Sequence, residues 1–164
     1  MYDEAVPALR RLLGALSGSL DKAQAHCAQS GTDPAALLNH RLAPDMWSLT
    51  QQVQAATDNA RRCMYRLTGT EPVAMDDLEA DFDALRRRIA DTLAVIEATP
   101  RDAIEAGRER LIKLPVGDHV LDMTGPDYLR HFLLPNFYFH CTAAYAIMRA
   151  KGVPLSKYDF IGRF

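Results

Sequence analysis

The chain has 164 residues, of which 48% are hydrophobic and 24% charged, and its formal net charge is -2 at pH 7. This length and composition predict one globular domain over residues 1–164, and the near-neutral charge does not favour nucleic acid or a membrane surface as a partner. No run approaches the roughly 18 apolar residues of a membrane span, and charges interrupt residues 1–13 where a signal peptide would be apolar, so we expect a cytoplasmic protein.

Apolar residues spaced alternately three and four apart form a stripe along one side of a helix, and the sequence contains four such stripes. The first stripe covers 6–27 and predicts a helix over about residues 3–28. After it, Asp33 and Pro34 are typical of a helix start, and we expect a short helix that ends near Leu38.

The next two stripes predict two more long helices. One stripe covers 46–67, and Gly69 beyond it can adopt the left-handed backbone of a helix cap. The other runs over 78–96, with acidic residues at its start that suit the positive end of the helix dipole. Within it, the run Arg86-Arg87-Arg88 lies among acidic residues and is expected to form a solvated helical face.

The last part of the chain predicts a small β-hairpin and then a fourth long helix. Residues 111–114 and 119–121 flank a Pro-Val-Gly-Asp turn, which is typical of a hairpin. The fourth stripe covers 133–147, and we expect its helix to start near Pro126 and to stop at Gly152. Four amphipathic helices with a long crossover before the last predict an all-α fold, an antiparallel four-helix bundle.

His140 is the most informative polar residue, because the spacing places it on the apolar stripe of the fourth helix. Asn136 lies one turn earlier on the same face, and on the second helix Gln52 adjoins the stripe, where Ala55 and Ala56 leave space. Gln52, Asn136 and His140 therefore form a candidate ligand-binding site. The alternative is that His140 is a hydrogen-bonded core residue without a functional role.

The fourth helix, NFYFHCTAAYAIMRAKG, resembles the last helix of the DinB/YfiT-like superfamily of four-helix bundles. That helix carries two metal-binding histidines four residues apart, followed by a Leu-Arg pair and a glycine. His140 matches the second histidine, and Arg149 and Gly152 match the ending, whereas Asn136 stands at the first histidine.

The third metal ligand of the superfamily is a histidine on the second helix, eight residues after a Trp-Ser pair. This sequence has Trp47-Ser48, but the equivalent position is Ala55. One histidine does not provide the three protein ligands that a catalytic zinc site needs. The other histidines have no close metal-site spacing; they are His26, His40, His119 and His131. The resemblance thus implies an uncharacterised branch with a degenerate metal site, and we expect neither a metal nor another cofactor.

Three functions follow from these residues and this resemblance. The first is a homodimeric bundle that binds a small ligand in the remnant metal-site cavity without a catalytic metal. The second is a metal-dependent transferase or isomerase related to the superfamily's enzymes, with His140 as metal ligand or general base. The third is a structural or interaction protein whose core is filled by side chains.

Two further features complete the sequence-based expectations. Cys27, Cys63 and Cys141 are an odd number without close pairs, which predicts reduced thiols. The aromatic residues of the tail, 153–164, are expected to pack onto the bundle. The alternative is that Lys157 and Asp159 close over one bundle end as a lid.

Overall fold

The computed structural model describes residues 1–162, and for Val116 its backbone alone. In chain order its elements are α1 (Tyr2–Ser30), α2 (Pro34–Leu38), α3 (Leu49–Thr68), α4 (Phe82–Ala98), α5 (Arg101–Ala106), a 3₁₀ turn (Gly107–Glu109), β1 (Leu111–Val116), β2 (His119–Thr124), α6 (Gly125–Asp127), a π-helical segment (Tyr128–Leu133), α7 (Leu134–Ala150) and α8 (Lys157–Ile161). The long helices α1, α3, α4 and α7 form the bundle.

The predicted antiparallel four-helix bundle is confirmed, and ion pairs show the direction of its first helix pair. Arg10 of α1 lies 3.0 Å from Glu97 near the end of α4, and Asp21 of α1 lies 3.0 Å from Arg86 near the start of α4. Since contacts further along α1 meet α4 nearer its start, the two helices run antiparallel.

The second antiparallel pair is α3 with the segment that ends in α7. Near the start of α3, Gln52 contacts His140 of α7, and near the end of α3, Arg66 contacts Tyr128 of the π-helical segment. α1 and α3 each pack against both α4 and α7, so the four helices form a ring.

The connection over 69–81 runs back along α3 before α4 begins. Arg61 donates to the carbonyl of Val73 at 2.9 Å, and Gln54, nearer the start of α3, donates to Glu79 at 2.7 Å. An extended chain rises up to about 3.4 Å per residue, against 1.5 Å in a helix, so this connection is long enough to span α3. As a result α3 and α4 run in the same direction.

The apolar stripes of the first, second and fourth helices are buried except for Met46 and His140, which are half-buried, but the third helix starts later than predicted. Leu78 is 81% exposed, and α4 begins at Phe82. Asp81 accepts a hydrogen bond from the backbone N–H of Ala84 at 2.7 Å, which caps the helix at this point. The capping carboxylate therefore sets the helix start, although Leu78 fits the spacing of the stripe.

The predicted hairpin is confirmed, with β1 paired to β2 in antiparallel register from Leu111 opposite Thr124 to Val116 opposite His119. Ile112 and Leu114 are buried and belong to the core. The hairpin therefore covers the bundle with one face, as strands with alternating burial do.

A helical turn of an unusual kind precedes α7. The helical segment begins at Gly125 with Pro126 in its first turn, close to the predicted start. Residues 128–133 are π-helical, and Pro135 follows in the first turn of α7. A proline has no N–H for the carbonyl four residues earlier, here that of His131, and its ring crowds that carbonyl. The wider π turn accommodates this.

The tail packs against α1 and α7, but only some of the aromatic residues predicted to pack do so. Phe160 contacts Tyr145 of α7 with ring centroids 5.5 Å apart, whereas Tyr158 is 82% exposed. Asp159 caps α8 and pairs with Lys22 of α1 at 2.6 Å. Phe164 lies outside the described residues. Among residues 1–162, no helix is long and apolar enough to cross a membrane.

Candidate functional site

The His140 imidazole is held by an amide that is itself fixed. Nδ1 of His140 lies 2.8 Å from Oε1 of Gln52, whose side chain is buried. The Gln52 Nε2 group donates to the carbonyl of Trp47 at 3.3 Å, so its Oε1 must face the imidazole as an acceptor. His140 therefore donates from Nδ1, and the lone pair of the neutral ring is on Nε2.

His140 is half-buried, and this burial lowers the pKa of its imidazole below the ordinary value of 6.5. The ring is therefore neutral at pH 7. Within residues 1–162, no protein group makes a hydrogen bond to its Nε2. The site thus offers a neutral imidazole acceptor that is free to bind a donor.

Two half-exposed aromatic rings flank His140. Trp47 stacks on the imidazole with centroids 5.3 Å apart and planes 10° apart, and Phe139 meets it edge-on at 5.4 Å. Trp47 is 49% exposed and Phe139 55% exposed. Trp47 is placed by Ser48, which caps α3 through reciprocal hydrogen bonds with Gln51. Trp47 and Phe139 thus present exposed aromatic surface beside the histidine.

Trp47 and His140 line two adjoining depressions. One is polar and has a volume of about 400 Å³; Ala55, Asp58, Asn59, Arg62 and Asn136 are among its other lining residues. The second is mainly apolar, has a volume of about 280 Å³, and is also lined by Asp45, Met46, Gln52 and Phe139.

The structure brings the three predicted site residues to this region, but not into one hydrogen-bonded cluster. Gln52 binds His140 directly and lines the apolar depression, whereas Asn136 lines the polar one with His140. Asn136 Nδ2 donates to the carbonyl of Phe132 at 2.7 Å, one turn earlier in the π-helical segment. Its Oδ1 and its second amide N–H remain for a ligand.

A buried arginine next to the site differs from the sequence-based expectation. The arginine run predicts a solvated face for Arg88, but this residue is 2% exposed. Its guanidinium donates to Thr57 and Asp58 of α3, each at 2.7 Å, and to Glu79 of the 69–81 connection at 2.9 Å. Arg88 lies three residues after the buried Leu85, a spacing that places it toward the core.

The residues in the polar depression do not fit a metal centre of the superfamily type. Among residues 1–162, no group of three or more His, Cys, Asp or Glu side chains is arranged to hold a metal ion. Ala55 has no donor atom, and Asn136 offers only a neutral amide oxygen at the position where the superfamily has an imidazole. Burial raises the pKa of Cys141 to about 12, so this neighbouring thiol is protonated and a poor ligand.

A larger depression, of about 510 Å³, lies between α1 and α8. Its charged residues include Lys22 and Asp159, which neutralise each other in an ion pair. It contains no histidine or cysteine among the described residues that line it. We therefore place the candidate site at His140, where a neutral imidazole is available.

Fold and site together define a class of protein: a four-helix bundle with long crossovers and a histidine-centred depression between α3 and α7. The chain is similar to a DinB family member protein from Shewanella denitrificans, with a TM-score of 0.89 and 34% sequence identity over 99% of this chain and 92% of that chain. The family described as Domain of unknown function (DUF1993) matches residues 1–161. The chain therefore belongs to the DUF1993 family and has a DinB-like fold. No curated protein matches it.

Proposed function

We propose that the protein binds a small molecule in the depressions at His140 without a catalytic metal. The observation that carries this proposal is the state of His140, a neutral imidazole fixed through Nδ1 whose Nε2 faces no protein partner in the described part of the chain. The neutral ring therefore leaves Nε2 as a hydrogen-bond acceptor for a ligand. Trp47, stacked on the ring and half-exposed, supplies an apolar contact surface.

The same region supports the interpretation of a remnant metal site. Ala55, Asn136 and His140 line one depression, and these are the three positions to which the family resemblance assigns histidine ligands. Only one of them is a histidine. The metal-dependent transferase or isomerase alternative therefore lacks its ligand set. The depression of about 400 Å³ leaves room for a small molecule, whereas the filled-core alternative predicts that no ligand binds there.

The proposal is tested with the fluorescence of Trp47, because the chain has a single tryptophan. A fragment set is titrated while Trp47 emission is recorded, and hits are repeated by calorimetry on wild type and on His140→Ala. We expect at least one fragment that changes the emission and loses affinity in His140→Ala. The matched control, His119→Ala on the exposed hairpin, should bind as wild type does. Fragments that bind both variants equally, or no binding at all, would contradict the proposal.

Metal content directly tests whether the protein functions without a bound metal, as we propose. Protein without a histidine tag is purified in the absence of chelators, and zinc, nickel, manganese and iron are measured per chain. We expect well below one metal ion per chain in wild type. Near one ion per chain, lost in His140→Ala, would instead establish the metal-dependent alternative.

We also propose a homodimer in the cytoplasm. The free thiols of Cys27, Cys63 and Cys141 are all buried, which agrees with a reducing compartment. The dimer rests on association between helix faces, and exposed apolar side chains outside the depressions, such as Tyr138 on α7, supply such a face. Light scattering of purified protein at micromolar concentration should give twice the chain mass; a strict monomer would contradict the dimer.

A further inference from the structure

We propose that the ligand of this site carries a protonated amine, so that the protein recognises organic cations. This inference rests on the proposed function and concerns the apolar depression beside Trp47. The depression combines two exposed aromatic rings, a neutral imidazole and one carboxylate, and each of these groups favours a cation.

The aromatic rings provide negatively polarised faces. Trp47 and Phe139 both line the depression, and about half of each side chain is exposed. A cation over the face of a tryptophan or phenylalanine ring is attracted by the ring quadrupole, and the attraction increases when water is excluded. Trp47 uses one face against His140, so the ligand would contact the rest of its exposed surface.

His140 adds an acceptor of defined position. Since Gln52 accepts the Nδ1 proton, the free Nε2 carries a lone pair and can only receive a hydrogen bond at neutral pH. An ammonium N–H is a donor that fits it, whereas a carboxylate has none to give. The imidazole therefore favours ligands that donate a hydrogen bond over ligands that only accept one.

Asp45 supplies the opposite charge. It lines the same depression and is exposed, and among residues 1–162 it makes no hydrogen bond or ion pair. The nearby cation Arg41 donates to the carbonyl of Met46 at 2.5 Å and does not pair with Asp45. An anionic ligand would be repelled by this unpaired carboxylate, and a neutral one would partly desolvate it without compensation.

The test compares three probes of similar shape: benzylammonium, benzyl alcohol and benzoate. Each is titrated into the full chain at about pH 7.5 and low salt, with Trp47 emission and calorimetry as readouts. We expect benzylammonium to bind about tenfold more tightly than benzyl alcohol, and benzoate more weakly than either. Added salt should weaken benzylammonium alone.

Asp45→Asn removes the charge and keeps the shape of the side chain. It should weaken benzylammonium about fivefold and leave benzyl alcohol unchanged. Asp91→Asn is the matched control, because Asp91 is an exposed carboxylate on α4 outside the depression. This control should bind all three probes as wild type does, and thermal melting should show that both variants are folded.

The outcomes separate the two proposals. Equal binding of benzyl alcohol and benzylammonium, or equal losses in Asp45→Asn and Asp91→Asn, would overturn the organic-cation inference and leave a ligand site at His140. Tighter binding of benzoate would overturn it as well. Failure of all three probes to bind wild type at tens of millimolar, together with a fragment screen without hits, would overturn both.

Discussion

The Gln52 side chain connects the start of α3 to α7 through a single amide group. Its nitrogen donates to Trp47 and its oxygen accepts from His140, so the two ends of the amide are not interchangeable. A buried amide whose two ends are both hydrogen-bonded holds its orientation. Reversal would place the Gln52 amide N–H against the Nδ1 proton of His140, and the amide oxygen against the carbonyl oxygen of Trp47. Gln52 therefore determines which nitrogen of His140 is available to a ligand.

This role predicts the effect of Gln52→Glu. A carboxylate opposite Nδ1 stabilises the protonated imidazole, so the pKa of His140 should rise above its wild-type value. The shift is measured by NMR titration of the His140 ring proton and by the pH dependence of Trp47 emission, since protonated imidazole quenches a stacked indole. Gln29→Glu, on the exposed face of α1, is the control and should leave the titration unchanged. An unchanged pKa in Gln52→Glu would contradict the assigned hydrogen bond.

The lowered pKa of His140 also predicts how stability depends on pH. Burial lowers the folded-state pKa below the ordinary 6.5, so below that pH the unfolded chain binds more protons than the folded chain. The stabilisation is thus present above about pH 6.5 and is lost as the pH falls through the folded-state pKa. Urea unfolding at about pH 7.5 and pH 5 should show a smaller loss of stability in His140→Gln than in wild type. A loss as large as that of wild type would contradict this origin, and His119→Gln serves as the control.

Among the elements, the 69–81 connection is fastened to the bundle mainly by Arg88. This side chain joins α4, α3 and the connection, and three carboxylates, Asp58, Asp77 and Glu79, lie within 3.0 Å of it. Asp58 and Asp77 also line the polar depression. The arginine therefore supports one wall of the candidate site although it does not line it.

Removal of this arginine should be costly, because it leaves partly buried carboxylates without their partner. We expect Arg88→Ala to lower the free energy of unfolding by about 3 kcal/mol, as measured by urea denaturation. Arg87→Ala, the exposed neighbour on the same helix, should change it by no more than about 0.5 kcal/mol. Equal effects of the two substitutions would show that the ion-pair network contributes little.

Two glycines in different elements should respond oppositely to alanine. Gly14 lies in the exposed interior of α1, and a Cβ added there would meet no atom within 4 Å, so Gly14→Ala should stabilise the protein by about 0.5–1 kcal/mol. At Gly107 an added Cβ would overlap the backbone carbonyl of Leu67, so Gly107→Ala should destabilise it. Thermal melting of both variants tests this contrast. A higher melting temperature in Gly107→Ala would contradict the close approach of the 3₁₀ turn to α3.

The helices could be predicted because burial of one helix side imposes a spacing that the sequence must carry. The 69–81 connection shows that the spacing of apolar residues is not sufficient to predict where a helix starts. Leu78 continues the apolar spacing, yet the helix starts after Asp81 because that carboxylate caps it. The charged neighbours of Arg88 indicate a solvated face, while its spacing from Leu85 indicates the core. Local pattern alone does not decide between these signals.

Residue spacing also predicts part of the candidate site. Spacing along α7 places Asn136 and His140 on one face, and both line the polar depression. Spacing does not give the direction of a side-chain amide, and Asn136 turns back to Phe132 instead of binding His140. The Trp47 stack depends on how the segment before α3 approaches α7, which is set by tertiary packing and has no local sequence signal.

At the scale of the whole molecule, the bundle brings Ala55 from α3 together with Asn136 and His140 from α7. If these are the ligand positions of a lost metal site, two substitutions should rebuild it. We expect Ala55→His with Asn136→His to bind about one zinc or nickel ion per chain, as three imidazoles suit a site with one open position. Calorimetry with the metal ions measures this, and wild type and each single variant are the controls. No binding by the double variant would contradict the remnant-site interpretation.

The parallel course of α3 and α4 also bears on how the chain reaches this structure. Within residues 1–162, no two long helices that follow each other in sequence form a closely packed antiparallel hairpin. Folding therefore cannot start from a hairpin of two neighbouring long helices. The contact between Gln52 and His140 closes a separation of 88 residues, and that between Glu4 and Arg130 closes 126. Non-local contacts slow folding because their loop-closure entropy is lost before the contacts stabilise the chain. Stopped-flow refolding should therefore be slower than for an up-down helical bundle of the same length.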